Sequence, residues 1–74
     1  SVVSLCARTG RTINIPDAYA DPRFDPEVDK STGYRTNNIL CVPMRNRNGA
    51  VIGVFEVMNK DTGTFTQDDE EWLQ

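Results

Sequence analysis

Two apolar runs separated by a short polar turn constrain this chain more than any other feature. Residues 39–45, Ile-Leu-Cys-Val-Pro-Met-Arg, and 50–58, Ala-Val-Ile-Gly-Val-Phe-Glu-Val-Met, have the composition of β-strands. Between them Asn46-Arg47-Asn48-Gly49 supplies an Asn-Gly pair, a strong local hairpin signal. A type I′ turn centred on Asn48 and Gly49 places Arg47 opposite Ala50, Arg45 opposite Ile52, Pro43 opposite Val54 and Cys41 opposite Glu56. Pro43 has no amide to give a ladder, which predicts an unpaired side or a bulge near it. The second strand is apolar on both faces, with Ile52, Val54 and Met58 on one and Val51, Phe55 and Val57 on the other. That pattern predicts a central strand covered on both sides.

Short helices and a third strand surround this hairpin. Residues 1–9 put Val2, Leu5, Cys6 and Thr9 on one helical stripe, and Gly10 supplies a left-handed stop. Arg11-Thr12-Ile13-Asn14-Ile15 alternates polar and apolar as a short strand ended by Pro16. A helical turn and loop follow. Asp25 then reads as an N-cap, Pro26 as the first helical residue and Gly33 as the stop. Two turns of helix do not persist alone in water, so this element must dock on something. Near the end, Thr66 and Asp69 form a capping box, and Asp68 to Glu71 suit the positive end of a helix. The fold class is α+β: an antiparallel sheet flanked by helices. Ser1 opening inside a helical pattern, and Trp72-Leu73-Gln74 closing on another, predict a portion of a larger domain.

With 74 residues the chain has room for one domain or part of one. Hydrophobic residues at 38% and charged residues at 26% fit a globular, soluble piece. There is no histidine, which excludes His-mediated acid–base catalysis, Ser-His and Cys-His pairs and His-ligated metals within the chain. The net charge of −3 comes from the 68–71 acids, because residues 1–67 carry seven acids against eight bases. No basic cluster suits nucleic acid, no run is long enough to span a membrane, and no ligand set suits a metal. Cys6 and Cys41 read as buried apolar residues in a reducing, cytoplasmic compartment, without the electropositive setting of a reactive thiol.

Glu56 is the most informative side chain, since it shares a strand face with Ile52, Val54 and Met58. A carboxylate there needs a partner: either backbone, arginine or solvent at a frayed end, or a ligand hydroxyl or amine in a pocket. Asp25, Asp29 and Thr32 recur at i, i+4 and i+7 as one polar stripe of the 26–32 helix. Such a stripe is either a solvated outer face or the inner side of a lid, and Thr36 points toward the same space. Asp25, Asp29 and Glu56 also admit general acid–base chemistry, but no phosphate loop, nucleophile elbow or metal set accompanies them.

Taken together, Asn14-Ile-Pro-Asp-Ala-Tyr-Ala-Asp-Pro-Arg-Phe-Asp-Pro-Glu-Val-Asp-Lys-Ser-Thr-Gly-Tyr-Arg-Thr36, running on to Ile39-Leu-Cys-Val-Pro43, is recognisable. So is Asn59-Lys60 with Phe65, Asp69 and Glu70, which fits the NKxnFx3DE signature. The chain resembles the GAF domains of class I cyclic nucleotide phosphodiesterases; GAF-linked adenylyl cyclases share the signature. The resemblance implies a six-stranded antiparallel sheet of GAF/PAS type flanked by helices, with residues 1–74 as the C-terminal portion of a single domain. It further implies a non-catalytic module binding cAMP or cGMP, with no other cofactor, that controls a linked catalytic domain in a homodimeric parent enzyme. Carried over by position, Val2 and Val3 meet the phosphate through their backbone, and Asp29, Thr32, Thr36 and Glu56 line the pocket. Asp25 is a further pocket position that varies among relatives. Asn59, Lys60, Phe65, Asp69 and Glu70 form a structural signature in which Lys60 pairs with Asp69. Many relatives read Gly-(Ile/Leu)-Ala-Gly where this chain has Ser1-Val2-Val3-Ser4. The alternative within the family is a GAF domain that binds no nucleotide and serves dimerisation and scaffolding.

Overall fold

The computed structural model describes all 74 residues. In chain order it contains α1 (Val2–Thr9), β1 (Ile13–Ile15), a 3-10 turn (Ala18–Ala20), α2 (Glu27–Thr32), β2 (Ile39–Arg45), β3 (Val51–Met58) and α3 (Gln67–Leu73). The sheet is antiparallel with order β1-β2-β3. Three helices against an antiparallel sheet make the α+β class expected, with three of the six strands that the resemblance implies.

Helices α1 and α3 have the termini their sequence dictates, whereas α2 begins one residue later than expected, with Pro26 rather than Asp25 as its N-cap. Ser1 caps α1 by accepting from the Ser4 amide, and Gly10 closes it at φ 68°. Asp25 Oδ1 accepts from the Glu27 amide at 3.0 Å, and Pro26 already has helical backbone, its carbonyl accepting from Lys30. Gly33 stops α2 at φ 74°. Thr66 and Asp69 complete both arms of the capping box on α3.

The hairpin keeps its core register but reaches it by a different turn. Cys41 faces Glu56 and Pro43 faces Val54, as expected. Gly49 has φ 85°, whereas Asn59 is the one non-glycine residue at positive φ. A type I′ turn needs positive φ at both central residues, so the Asn48-Gly49 centre is incorrect. The turn is centred on Arg47 and Asn48, with the Gly49 amide donating to the Asn46 carbonyl at 3.0 Å. Asn46 decides this: its Oδ1 accepts from the amides of Asn48 and Ala50 at 2.9 and 3.0 Å. Arg45 consequently faces Val51 rather than Ile52, Asn46 takes the place beside Ala50 expected of Arg47, and a bulge at Met44/Arg45 restores the register. Beyond Cys41 nothing pairs with the β1 side of β2, which leaves Pro43 with one free flank.

The central strand is β2, not β3. Ile39, Leu40, Cys41 and Val42 are all buried. Ile52 is 68% exposed and Phe55 and Met58 are nearly half exposed, because no strand of this chain pairs with the outer edge of β3. The core consists of Val2 and Cys6 from α1, Ile13 and Ile15 from β1, Ala18, and Ile39 and Cys41 from β2. Thr9 completes its helical stripe but lies in solvent, where its hydroxyl donates to the Leu5 carbonyl.

Candidate functional site

A cleft of about 250 Å³ opens between the start of α1, helix α2 and the sheet. Its lining brings together Val2, Val3, Asp25, Asp29, Thr36 and Glu56, joined by Ser1, Phe24, Val28, Ile39 and Met58. Thr32 lies outside it, on an adjoining hollow that shares Asp29, Thr36 and Met58. A separate, larger hollow of about 510 Å³ has Arg45 as its one charged side chain, and that guanidinium is already bonded to the carbonyls of Gly49 and Gly10. The smaller cleft is therefore the chemically equipped one.

Its electrostatics are asymmetric. Three carboxylates line it and no lysine or arginine does, so its side chains chiefly accept hydrogen bonds. The one donor surface for an anion is the α1 N-terminus. There the Ser4 amide is taken by Ser1 Oγ and the Leu5 amide by the Ser1 carbonyl. The Val2 and Val3 amides are left with no helical carbonyl to bond. Val3 is partly exposed at this point and Ser4 turns its hydroxyl to Ser1.

Of the α2 stripe, read as either a solvated face or the inner side of a lid, Asp29 alone is withdrawn from solvent. It is buried, whereas Asp25 and Thr32 at the stripe's other positions are exposed. Asp29 Oδ2 accepts from Tyr19 Oη and from the Thr36 amide, both at 2.7 Å, and Oδ1 accepts from Thr36 Oγ1 at 2.8 Å. The Thr36 amide foremost holds its carboxyl below the usual range, with the Tyr19 and Thr36 hydroxyls helping and burial opposing. The same bond raises the Tyr19 phenol above its ordinary value.

Glu56 takes the other side of the cleft. It is exposed, and its one hydrogen bond in the chain is a 3.6 Å contact from the Cys41 thiol across the strand pair. Burial, followed by the Glu56 charge, pushes that thiol up to about 12. Burial raises the Cys6 thiol as well. Neither sulfur has thiolate character near neutral pH, which disfavours a thiol-based redox or chromophore site. No cluster of three acidic or cysteine side chains is placed to hold a metal ion.

Residues 2–74 match the GAF domain family. The chain belongs to the GAF family. It is 48% identical, over 99% of its length, to the dual 3',5'-cyclic-AMP and -GMP phosphodiesterase 11A of Takifugu rubripes. It spans 8% of the length of that relative.

The GAF signature residues act as ties between elements. Lys60 Nζ lies 2.6 Å from Asp69 Oδ2, and the same oxygen accepts from the Thr66 amide. Lys60 foremost, then the Thr66 amide, holds the Asp69 carboxyl below its usual range. Asn59 Oδ1 accepts from the Asn37 amide at 2.6 Å, while its Nδ2 donates to Tyr34 Oη and the Arg35 carbonyl. The Phe65 carbonyl and Glu70 Oε2 both accept from Asn14 Nδ2, so these two positions tie α3 and the segment before it to β1.

Several contributors escaped the sequence reading. Tyr19 and Asn14 carry bonds across the fold, and buried Asn38 accepts from the Lys60 amide and donates to the Gly63 carbonyl. Phe24, Val28 and Met58 supply much of the cleft's apolar wall. Strand alternation had already placed Met58 on the Glu56 face; no local pattern marks the others, and only their position in a recognised motif could have done so. No helix of this chain is long and apolar enough to cross a membrane.

Proposed function

We propose that this GAF chain is the C-terminal portion of one domain that binds cAMP or cGMP, performs no catalysis itself, and regulates a linked phosphodiesterase catalytic domain. The observation that carries the reading is the cleft: free amides at the α1 N-terminus on one side, hydrogen-bond acceptors and Thr36 on the other. A cyclic phosphate suits the former, because unpaired amides and the helix dipole bind an anion without a basic side chain. Ribose hydroxyls and purine N–H groups suit carboxylates such as Glu56 and Asp25. The apolar wall of Phe24, Val28, Ile39 and Met58 suits the faces of a purine. The name of the Takifugu relative supports a phosphodiesterase as the parent enzyme and a dual-nucleotide setting.

Regulation follows if the nucleotide prefers one placement of α2 over another, since only differential affinity shifts a conformational equilibrium. Titration calorimetry of the full-length protein with cAMP and with cGMP tests the reading. Heat of binding is expected with at least one nucleotide, weakened by Thr36→Ala and by Glu56→Ala. No heat with either nucleotide overturns it. Unchanged affinity in both variants with altered oligomeric state would favour the scaffolding role instead.

A further inference from the structure

Helix α2 is held to the rest of the molecule by a carboxylate rather than by an apolar face. Its only buried side chain is Asp29, and its only apolar one, Val28, is 65% exposed. The other side-chain bonds of α2, from Lys30, Ser31 and Thr32, all end within four positions on the helix or the turn that follows. So short a helix has negligible stability of its own. Its placement therefore depends on the bonds to Asp29, and one of those comes from outside the α2–β2 segment: Tyr19 Oη, at 2.7 Å.

Tyr19 is well rooted for this task. Its neighbour Ala18 is fully buried, and the Ala18 amide donates to the Asn37 carbonyl at 2.8 Å. The phenol ring packs against Phe24 with centroids 5.3 Å apart, and the Arg35 guanidinium lies 4.2 Å over its face. Arg35 and Phe24 are thus gathered by the ring, and Asp29 by its hydroxyl.

We propose that Tyr19 is a positioning residue for the ligand cleft: its O–H fixes Asp29, and through Asp29 the docked placement of α2, without itself lining the cleft. The proposal rests on the cyclic-nucleotide reading for its functional consequence, but not for its structural one. A hydrogen bond to a charged acceptor is among the stronger ones, so its loss should raise the undocked population of α2 about tenfold.

The test is Tyr19→Phe in the full-length protein, which keeps the ring against Phe24 and Arg35 and removes only the hydroxyl. Hydrogen exchange should be about tenfold faster in residues 27–36 and unchanged in β2 and β3. Dissociation of whichever nucleotide binds should accelerate by a similar factor. In combination with Asp29→Asn the effects should be non-additive, because both changes break one tie. Unchanged exchange in 27–36 overturns the proposal, as does a uniform acceleration across the sheet, which would mark Tyr19 as general core support. If the unmutated protein binds neither nucleotide, the functional reading fails, and exchange in 27–36 alone then decides for or against the Tyr19 tie.

Discussion

The Asn59 side chain, at the end of β3, donates to the Arg35 carbonyl at 2.9 Å and so grips the segment that carries Thr36 into the cleft. Asn59 does this from a left-handed backbone, φ 58°, which asparagine tolerates better than most residues. Its amide is fully employed, with Oδ1 accepting from Asn37 and Nδ2 donating to Tyr34 and Arg35. The cleft and the signature are thereby one connected network, since the next residue, Lys60, pairs with Asp69 of α3.

Asn59→Asp should expose that dependence. The substitution keeps the acceptor for Asn37 but removes both donors, and it sets a charge against the Arg35 carbonyl. A loss of about 1–3 kcal/mol is expected from two forfeited hydrogen bonds. Urea unfolding of the variant against the parent measures it, and Asn59→Gly, whose backbone accepts this φ, isolates the side-chain contribution.

Acid should loosen α2 through Asp29. Its carboxyl is depressed, chiefly by the Thr36 amide, so its stabilising bonds are fully present above the ordinary carboxylate value of about 3.9. They are lost as pH falls through the lower folded value. The stability advantage of the parent over Asp29→Asn should therefore be constant from pH 7 to about pH 5 and shrink below about pH 4. Thermal unfolding midpoints across that range read it out; an advantage that grew on acidification would contradict the assignment.

Two glycines at helix ends should respond differently to alanine. Gly10 and Gly33 both have positive φ, near 70°. A Cβ at Gly10 would collide with the Arg45 guanidinium, whereas Gly33 faces open space. Gly33→Ala should cost about 1 kcal/mol for backbone conformation alone. Gly10→Ala should cost about 2 kcal/mol, the extra ~1 kcal/mol being the Arg45 hydrogen bonds to Gly10 and Gly49 lost when that exposed side chain swings aside. Equal losses in denaturant unfolding would refute the packing argument.

Cys41 should resist alkylation. Its thiol is raised by burial and then by the Glu56 charge, and its sulfur is buried, so it carries almost no thiolate at pH 8. Iodoacetamide labelling read by mass spectrometry should leave Cys41 unmodified in the folded protein and modify it after denaturation. Ready labelling of the folded protein would restore a redox role to this thiol.

The sequence by itself determined the local grammar of this protein. The two β-rich runs and the polar residues between them marked a hairpin, and its expected pairings of Cys41 with Glu56 and of Pro43 with Val54 hold because the bulge at Met44/Arg45 offsets the different turn. The Ser1 and Thr66 caps and the left-handed Gly10 and Gly33 set helix ends. The motif residues located the cleft, and six of the seven proposed positions do line it. Only the tertiary structure decided what those residues spend their hydrogen bonds on. Asn46 overrode the Asn-Gly turn because its side chain bonds two amides at once. The apolar faces of β3 read as central, yet β2 is the central strand, because burial depends on which strands are beside it. The stripe of Asp25, Asp29 and Thr32 admitted either a solvated face or the inner side of a lid; packing withdraws Asp29 alone, where three donors ten and seven positions away bond it. Periodicity records which side of an element a residue occupies; whether that side meets water or Tyr19 is settled only when distant segments are packed together.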